Sequence, residues 1–259
     1  MKKIQDAFQN GKAFVAFLTC GDPDLNTTRK LIHTLADAGA DLIELGIPFS
    51  DPTAEGPVIQ AANVRALSGG VTTDQIFDML DGMRGEVDVP LVFMTYANVV
   101  FSYGTERFLS RAQRAGICGL ILPDVPFEEK EEFSPACKAH GLELVSLIAP
   151  TSQARIGKIA QAADRFVYCV SSLGVTGERG CIAAAVGNMV AQVRAATKTP
   201  CAVGFGISTP EQAAEMAKLS DGVIVGSAIV RLVGQHGKDA AEPVYQYVKS
   251  MKDAIRAVG

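Results

Sequence analysis

Residues 38–48 read Ala-Gly-Ala-Asp-Leu-Ile-Glu-Leu-Gly-Ile-Pro. A helical pattern stops at a small residue and a glycine, and an apolar run of strand length follows. Glycine just past a last helical turn supplies the left-handed conformation that ends a helix. An unbroken apolar run, rather than an alternating one, marks a strand buried on both faces, as in parallel sheets. The same unit returns at Ala115-Gly116, His140-Gly141 and Asp221-Gly222, each followed by its own apolar run. Eight runs can be placed, at 14–19, 42–46, 91–95, 119–122, 144–148, 166–170, 201–205 and 222–225. Helical patterns fill the intervals at 25–35, 73–83, 106–115, 128–140, 154–163 and 210–219.

Eight strand–helix units in a chain of 259 residues predict an α/β fold, a (β/α)8 barrel. A doubly wound sheet is the competing architecture, but it favours fewer strands and a Gly-rich fingerprint after the first strand, which is absent. No linker, charge block or low-complexity tract divides the chain, so one domain over residues 1–259 is expected. A short N-terminal helix and a long, partly helical excursion over 50–90, after strand two, complete the expectation.

Composition narrows the function. Hydrophobic residues make up 48% and charged residues 20%, enough to bury a core and too apolar for global disorder. A net charge of −4 makes a nucleic-acid binder a poor reading. No run reaches the length of a membrane span, and the start turns polar too soon for a signal peptide. Six scattered cysteines without a C-x-x-C read as reduced thiols of a cytoplasmic protein.

In this barrel the chemistry sits at the C-terminal strand ends. Those ends hold no His, no Lys for a Schiff base and no ligand cluster for a metal. Proton transfer therefore falls to carboxylates: Asp22, Glu44, Asp51, Glu55 and Asp124. Glu44 interrupts the run Leu42-Ile43-Glu44-Leu45. Burial there would raise its pKa, suiting a group that both gives and takes a proton near neutrality. Asp22 and Asp124 also read as turn formers. Gly204–Ser208, Gly226-Ser227 and Gly174–Gly177 are small loops after the last three strands, where backbone N–H groups can meet a phosphate. Residues alone thus point to a phosphorylated small substrate handled by carboxylates.

In combination these segments resemble the tryptophan synthase alpha chain family. The matching stretches are Phe17–Pro23, Glu44–Pro52, Tyr96-Ala97-Asn98, Pro123–Pro126, Gly174–Gly177, Gly204–Ser208 and Gly226–Val230, in family order over nearly the whole chain. The resemblance implies cleavage of indole-3-glycerol phosphate to indole and glyceraldehyde 3-phosphate, with no metal or cofactor in this chain. It implies Glu44 as the acid/base at indole C3 and a carboxylate at Glu55 for the indole N–H. Phe17, Tyr96, Asp124, Tyr168, Thr176 and Phe205 would line the indole pocket. Gly177, Gly206, Gly226 and Ser227 would bind phosphate, with Thr176 on a closing flap. It further implies a pyridoxal-phosphate-dependent beta chain as partner, in an alpha2beta2 assembly, meeting this chain near Pro48, Phe49, Asp51 and Asn98. One departure stands out. The family loop reads Leu-Ala-Asp-Gly where this chain has Thr53-Ala54-Glu55-Gly56, one methylene longer by about 1.5 Å. Three rivals follow: another phosphate-binding barrel such as a phosphoribosyl isomerase, a catalytically weak subunit that mainly activates a beta chain, and a free-standing indole-releasing lyase.

Overall fold

The computed structural model describes residues 3–170, 179–204 and 206–259. Its strands are β1 (Ala13–Thr19), β2 (Leu42–Gly46), β3 (Leu91–Met94), β4 (Ile117–Ile121), β5 (Glu143–Leu144), β6 (Ser146–Ile148), β7 (Val167–Val170), β8 (Cys201–Gly204) and β9 (Gly222–Val225). All pair in parallel, in the order β5-β4-β3-β2-β1-β9-β8-β7-β6. One residue, Val145, separates β5 from β6, and its N–H donates to Leu120 O at 2.9 Å. β5 and β6 are therefore one interrupted stave, and it closes the sheet into an eight-stave (β/α)8 barrel. All eight expected runs coincide with staves.

The helices are α1 (Leu25–Asp37), α2 (Pro57–Ser68), α3 (Thr73–Gly82), α4 (Ala97–Tyr103), α5 (Thr105–Arg114), α6 (Ser134–Ala139), α7 (Ile156–Gln161), α8 (Arg179–Ala196), α9 (Pro210–Leu219), α10 (Ser227–His236) and α11 (Ala241–Arg256). α2 and α3 form the excursion after stave two. None of the described helices is long and apolar enough to cross a membrane. Alternation along each strand sorts the core into two shells. Phe14, Ala16, Leu18, Ile43 and Leu45 face the helices, while Val15, Leu42, Val92, Tyr168, Ala202 and Ile224 fill the barrel. The N-terminal helix is a 3-10 turn, Ile4–Phe8, that plugs the barrel floor. Ile4 is 2% exposed, and a Cβ on Gly119 would lie 2.6 Å from its Cδ1.

Three expectations need correction. The helix expected over 128–140 is a 3-10 turn, Phe127–Glu132, followed by α6. Phe133 is drawn into the core, and Pro135 offers no N–H to continue the first turn. The helix expected over 154–163 divides likewise into a 3-10 turn, Pro150–Arg155, and α7. Gly222 does not end a helix. It lies in β9, where an added Cβ would stand 3.0 Å from both Ala13 Cβ and Ala13 O. Close strand packing selects glycine there, and α9 ends instead at an extended Ser220. At 39, 116 and 141 glycine does take a positive φ, as the helix-ending pattern requires.

Candidate active site

β2 pairs Phe17↔Glu44 on one side and Glu44↔Val92 on the other. Glu44 therefore shares the inward face with Leu42 and projects into the barrel. It is 0% exposed, and neither carboxylate oxygen has a hydrogen-bond partner among the described residues. A charge in that setting is costly, so burial pushes the acid up to about 8. Tyr168 reaches the same interior from β7. Burial first, and the Glu44 charge second, hold its phenol well above the usual range. Gly204 makes room for that ring, since a Cβ there would lie 3.1 Å from Tyr168 Oη.

Phe17 supplies the apolar wall beside Glu44. Its ring lies against Gly46, where a Cβ would come within 2.6 Å of Phe17 Cζ. Val58, Ile59 and Ala62 of α2, with Val230 of α10, pack against it. The excursion after stave two thus folds back over the barrel mouth, and that return brings in Glu55. Asn63 Nδ2 donates to Glu55 Oε2 at 2.6 Å, and Gln60 Nε2 donates to Glu55 O at 2.7 Å. Partial burial raises the Glu55 acid, while hydrogen bonds from Asn63 and Tyr96 pull it down. Tyr96 is buried, its hydroxyl accepts from Ala54 N at 3.2 Å, and its ring lies 5.1 Å from that of Phe49. Desolvation pushes the Tyr96 phenol up to about 12.

The remaining expected residues that the structure describes lie toward the rim. Asp124 is exposed and accepts from Ala97 N through both oxygens, at 3.1 and 3.0 Å, holding the first turn of α4. Gly206 is exposed with φ +76°. Gly226 precedes α10, whose first turn has no side-chain cap, and the helix bonding begins with Val230 N to Gly226 O at 3.1 Å, so the N–H groups of Ser227, Ala228 and Ile229 can meet an anion. Asn98, Asp51 and Ser227 are exposed, Phe49 is half-buried, and Pro48 is buried. Thr176, Gly177 and Phe205 lie outside the described residues, as do Gly174 and Val175. Asp22 is 2% exposed and takes Arg65 of α2 in a two-pronged pair, at 2.8 and 2.7 Å. That pairing is structural and ties the turn after β1 to α2. Sequence patterning did not single out Asn63. Its signal was a polar residue inside Ala61-Ala62-Asn63-Val64, where the helix turns to the barrel. Among the described residues no group of three or more His, Cys, Asp or Glu could hold a metal ion. A cavity of about 770 Å³ lies elsewhere, along the interrupted fifth stave beside Leu144, Glu143 and Arg165, away from the Glu44 mouth.

Residues 4–256 match the family model described as tryptophan synthase alpha chain. This chain belongs to the tryptophan synthase alpha chain family. The tryptophan synthase alpha chain of Lacticaseibacillus casei is 47% identical over 257 residues, covering 99% of this chain and 97% of that one. A crystal structure of the tryptophan synthase alpha subunit from Legionella pneumophila superposes with a TM-score of 0.89 at 36% identity, covering all of both chains. A structure of Mycobacterium tuberculosis tryptophan synthase gives 0.89 at 32% identity, covering 98% of each chain. The alpha-chain resemblance seen in the separate sequence stretches is thus a whole-chain relationship.

Proposed function

We propose that this alpha-family chain cleaves indole-3-glycerol phosphate to indole and glyceraldehyde 3-phosphate by carboxylate chemistry. The observation that carries the reading is the Glu44 carboxyl, enclosed in the barrel with no hydrogen-bond partner among the described residues, where burial pushes the acid up to about 8. A neutral acid at that place can give its proton to indole C3. Protonation moves positive charge to the indole nitrogen, and the Glu55 carboxylate holds that N–H as the charge develops. Charge fixed in advance stabilises the transition state more than the ground state. The adjoining side-chain hydroxyl then loses its proton to Glu44. The electron pair left on its oxygen becomes the second bond of the aldehyde C=O, the C3–carbon bond breaks, and that bonding pair returns to the ring to neutralise the iminium and restore aromaticity. Phe17, Tyr96 and Tyr168 would enclose the indole, with Asp124, Thr176 and Phe205 completing the pocket. Gly177, Gly206, Gly226 and Ser227 would bind the phosphate.

The partner on this reading is a beta chain that receives indole and carries the pyridoxal phosphate, in an alpha2beta2 assembly in the cytoplasm. Pro48, Phe49, Asp51 and Asn98 would meet it. Phe101, one turn past Asn98 and 53% exposed, supports that face as an interface. The test is indole release from indole-3-glycerol phosphate by the purified chain, with and without beta chain. Release that rises on adding beta chain, and is lost in Glu44→Gln, is expected. No release under either condition overturns the reaction.

A further inference from the structure

Thr19 closes β1 on the same inward face as Val15 and Phe17. It is 4% exposed, and its hydroxyl oxygen has no hydrogen-bond partner among the described residues. A buried hydroxyl left unbonded is a cost that a folded chain rarely carries without a use. Thr95 Oγ1 is orphaned too, but it follows the inward Met94 by one residue, so alternation turns it toward the helices.

The place of Thr19 in the sheet indicates its use. β1 lies between β2 and β9. One neighbour carries Glu44, in register with Phe17. The other leads into Gly226-Ser227, and a Cβ on Gly226 would lie 3.3 Å from Phe17 Cβ. Thr19 stands two residues above Phe17, roughly 6.6 Å nearer the mouth. Its register partner is Gly46, which carries no side chain, and the Phe17 ring lies against that glycine. In the reaction proposed above, on which this inference rests, a three-carbon chain with two hydroxyls must run from the ring at Glu44 to the phosphate at α10. That path crosses β1 over Phe17, which is level with Glu44 and beside Gly226, and Thr19 is the next inward position of β1 toward the mouth.

We infer that the Thr19 hydroxyl binds a hydroxyl of the substrate's glycerol chain and so selects the hydroxylated substrate. The contact is made only with ligand bound, which accounts for the unbonded oxygen without it.

The experiment titrates two ligands against the full chain carrying Glu44→Gln, which should slow turnover by at least about 100-fold. One is indole-3-glycerol phosphate; the other is 3-(indol-3-yl)propyl phosphate, equal in length but without hydroxyls. Adding Thr19→Val should weaken the first by roughly tenfold and leave the second within about twofold. Thr19→Ser should keep the first. The melting temperature of Thr19→Val should equal or exceed that of its parent, because an orphaned polar atom has been removed. Equal losses for both ligands, no loss for either, or a melting temperature lowered by several degrees would each overturn the assignment. Indole release by the unaltered chain with beta chain is measured alongside. Its absence counts against the reaction, while the two titrations still decide the hydroxyl contact.

Discussion

Glu44 occupies an inward strand position whose partners on the neighbouring staves are the apolar Phe17 and Val92, and its protonation has two measurable consequences. The folded chain holds the proton up to about pH 8, whereas an unfolded Glu releases it near its ordinary value. Between those limits the folded state binds more protons, so stability falls as pH rises and levels off beyond about 8. Glu44→Gln removes that decline. Thermal melts should show the variant gaining on the parent by several kcal/mol more at pH 8 than at pH 5, and no pH-dependent difference would refute the burial argument. In activity, Glu44→Gln should lower indole release by at least about 100-fold. The same acid form predicts that parental kcat/KM declines above about pH 8. Glu55 makes a narrower prediction. Its Oε2 meets Asn63 at 2.6 Å, so the longer side chain already has a fitted partner. Glu55→Asp shortens that reach and should reduce kcat/KM several-fold in a steady-state assay; a large gain would show the native Glu to be a defect. Glu44 was legible in the sequence because it broke an apolar run. Asn63 and Thr19 were not, because their meaning depends on what lies across the barrel.

At the scale of elements, β1, β2 and the return of α2 act together through Phe17. Gly46 is the position where that assembly has no slack, with 2.6 Å left to the Phe17 ring. Gly46→Ala must displace the ring or the strand, and should cost about 1–3 kcal/mol in urea denaturation while weakening indole binding. Strands and most helix starts were readable because each carries a local signal. α9 opens on Thr209, whose side chain accepts from Gln212 N at 3.3 Å in a reciprocal box, and Pro210 follows at the first turn. The segments 128–140 and 154–163 were less readable. Their helical periodicity is real, yet each breaks into a 3-10 turn and a short helix. Burial of single anchors such as Phe133, 2% exposed, outweighs propensity there.

At the scale of the molecule, α11 fastens the chain's end to the barrel floor. Lys252 is 4% exposed, and its Nζ donates to Asp41 Oδ2 at 2.5 Å and to Lys12 O at 3.0 Å. Asp41 also accepts from Phe14 N at 2.6 Å, so one ammonium links the C-terminal helix, the start of stave two and the start of stave one. Lys252→Met leaves the half-buried Asp41 charge unmatched and should destabilise the fold by about 2 kcal/mol in a chemical melt; an unchanged midpoint would show the link to be dispensable. By itself the sequence determined the barrel, its eight staves, the acid in the second stave and the family, since apolar periodicity, glycine stops and local motifs are properties of neighbouring residues. Only the tertiary structure decided that Asp22 belongs to Arg65, that Asn63 holds Glu55, and that Glu44 and Thr19, on adjacent staves, have no side-chain hydrogen bond among the described residues. Those facts depend on strand register and on the fold-back of α2, which bring together residues whose separation along the chain carries no local signal.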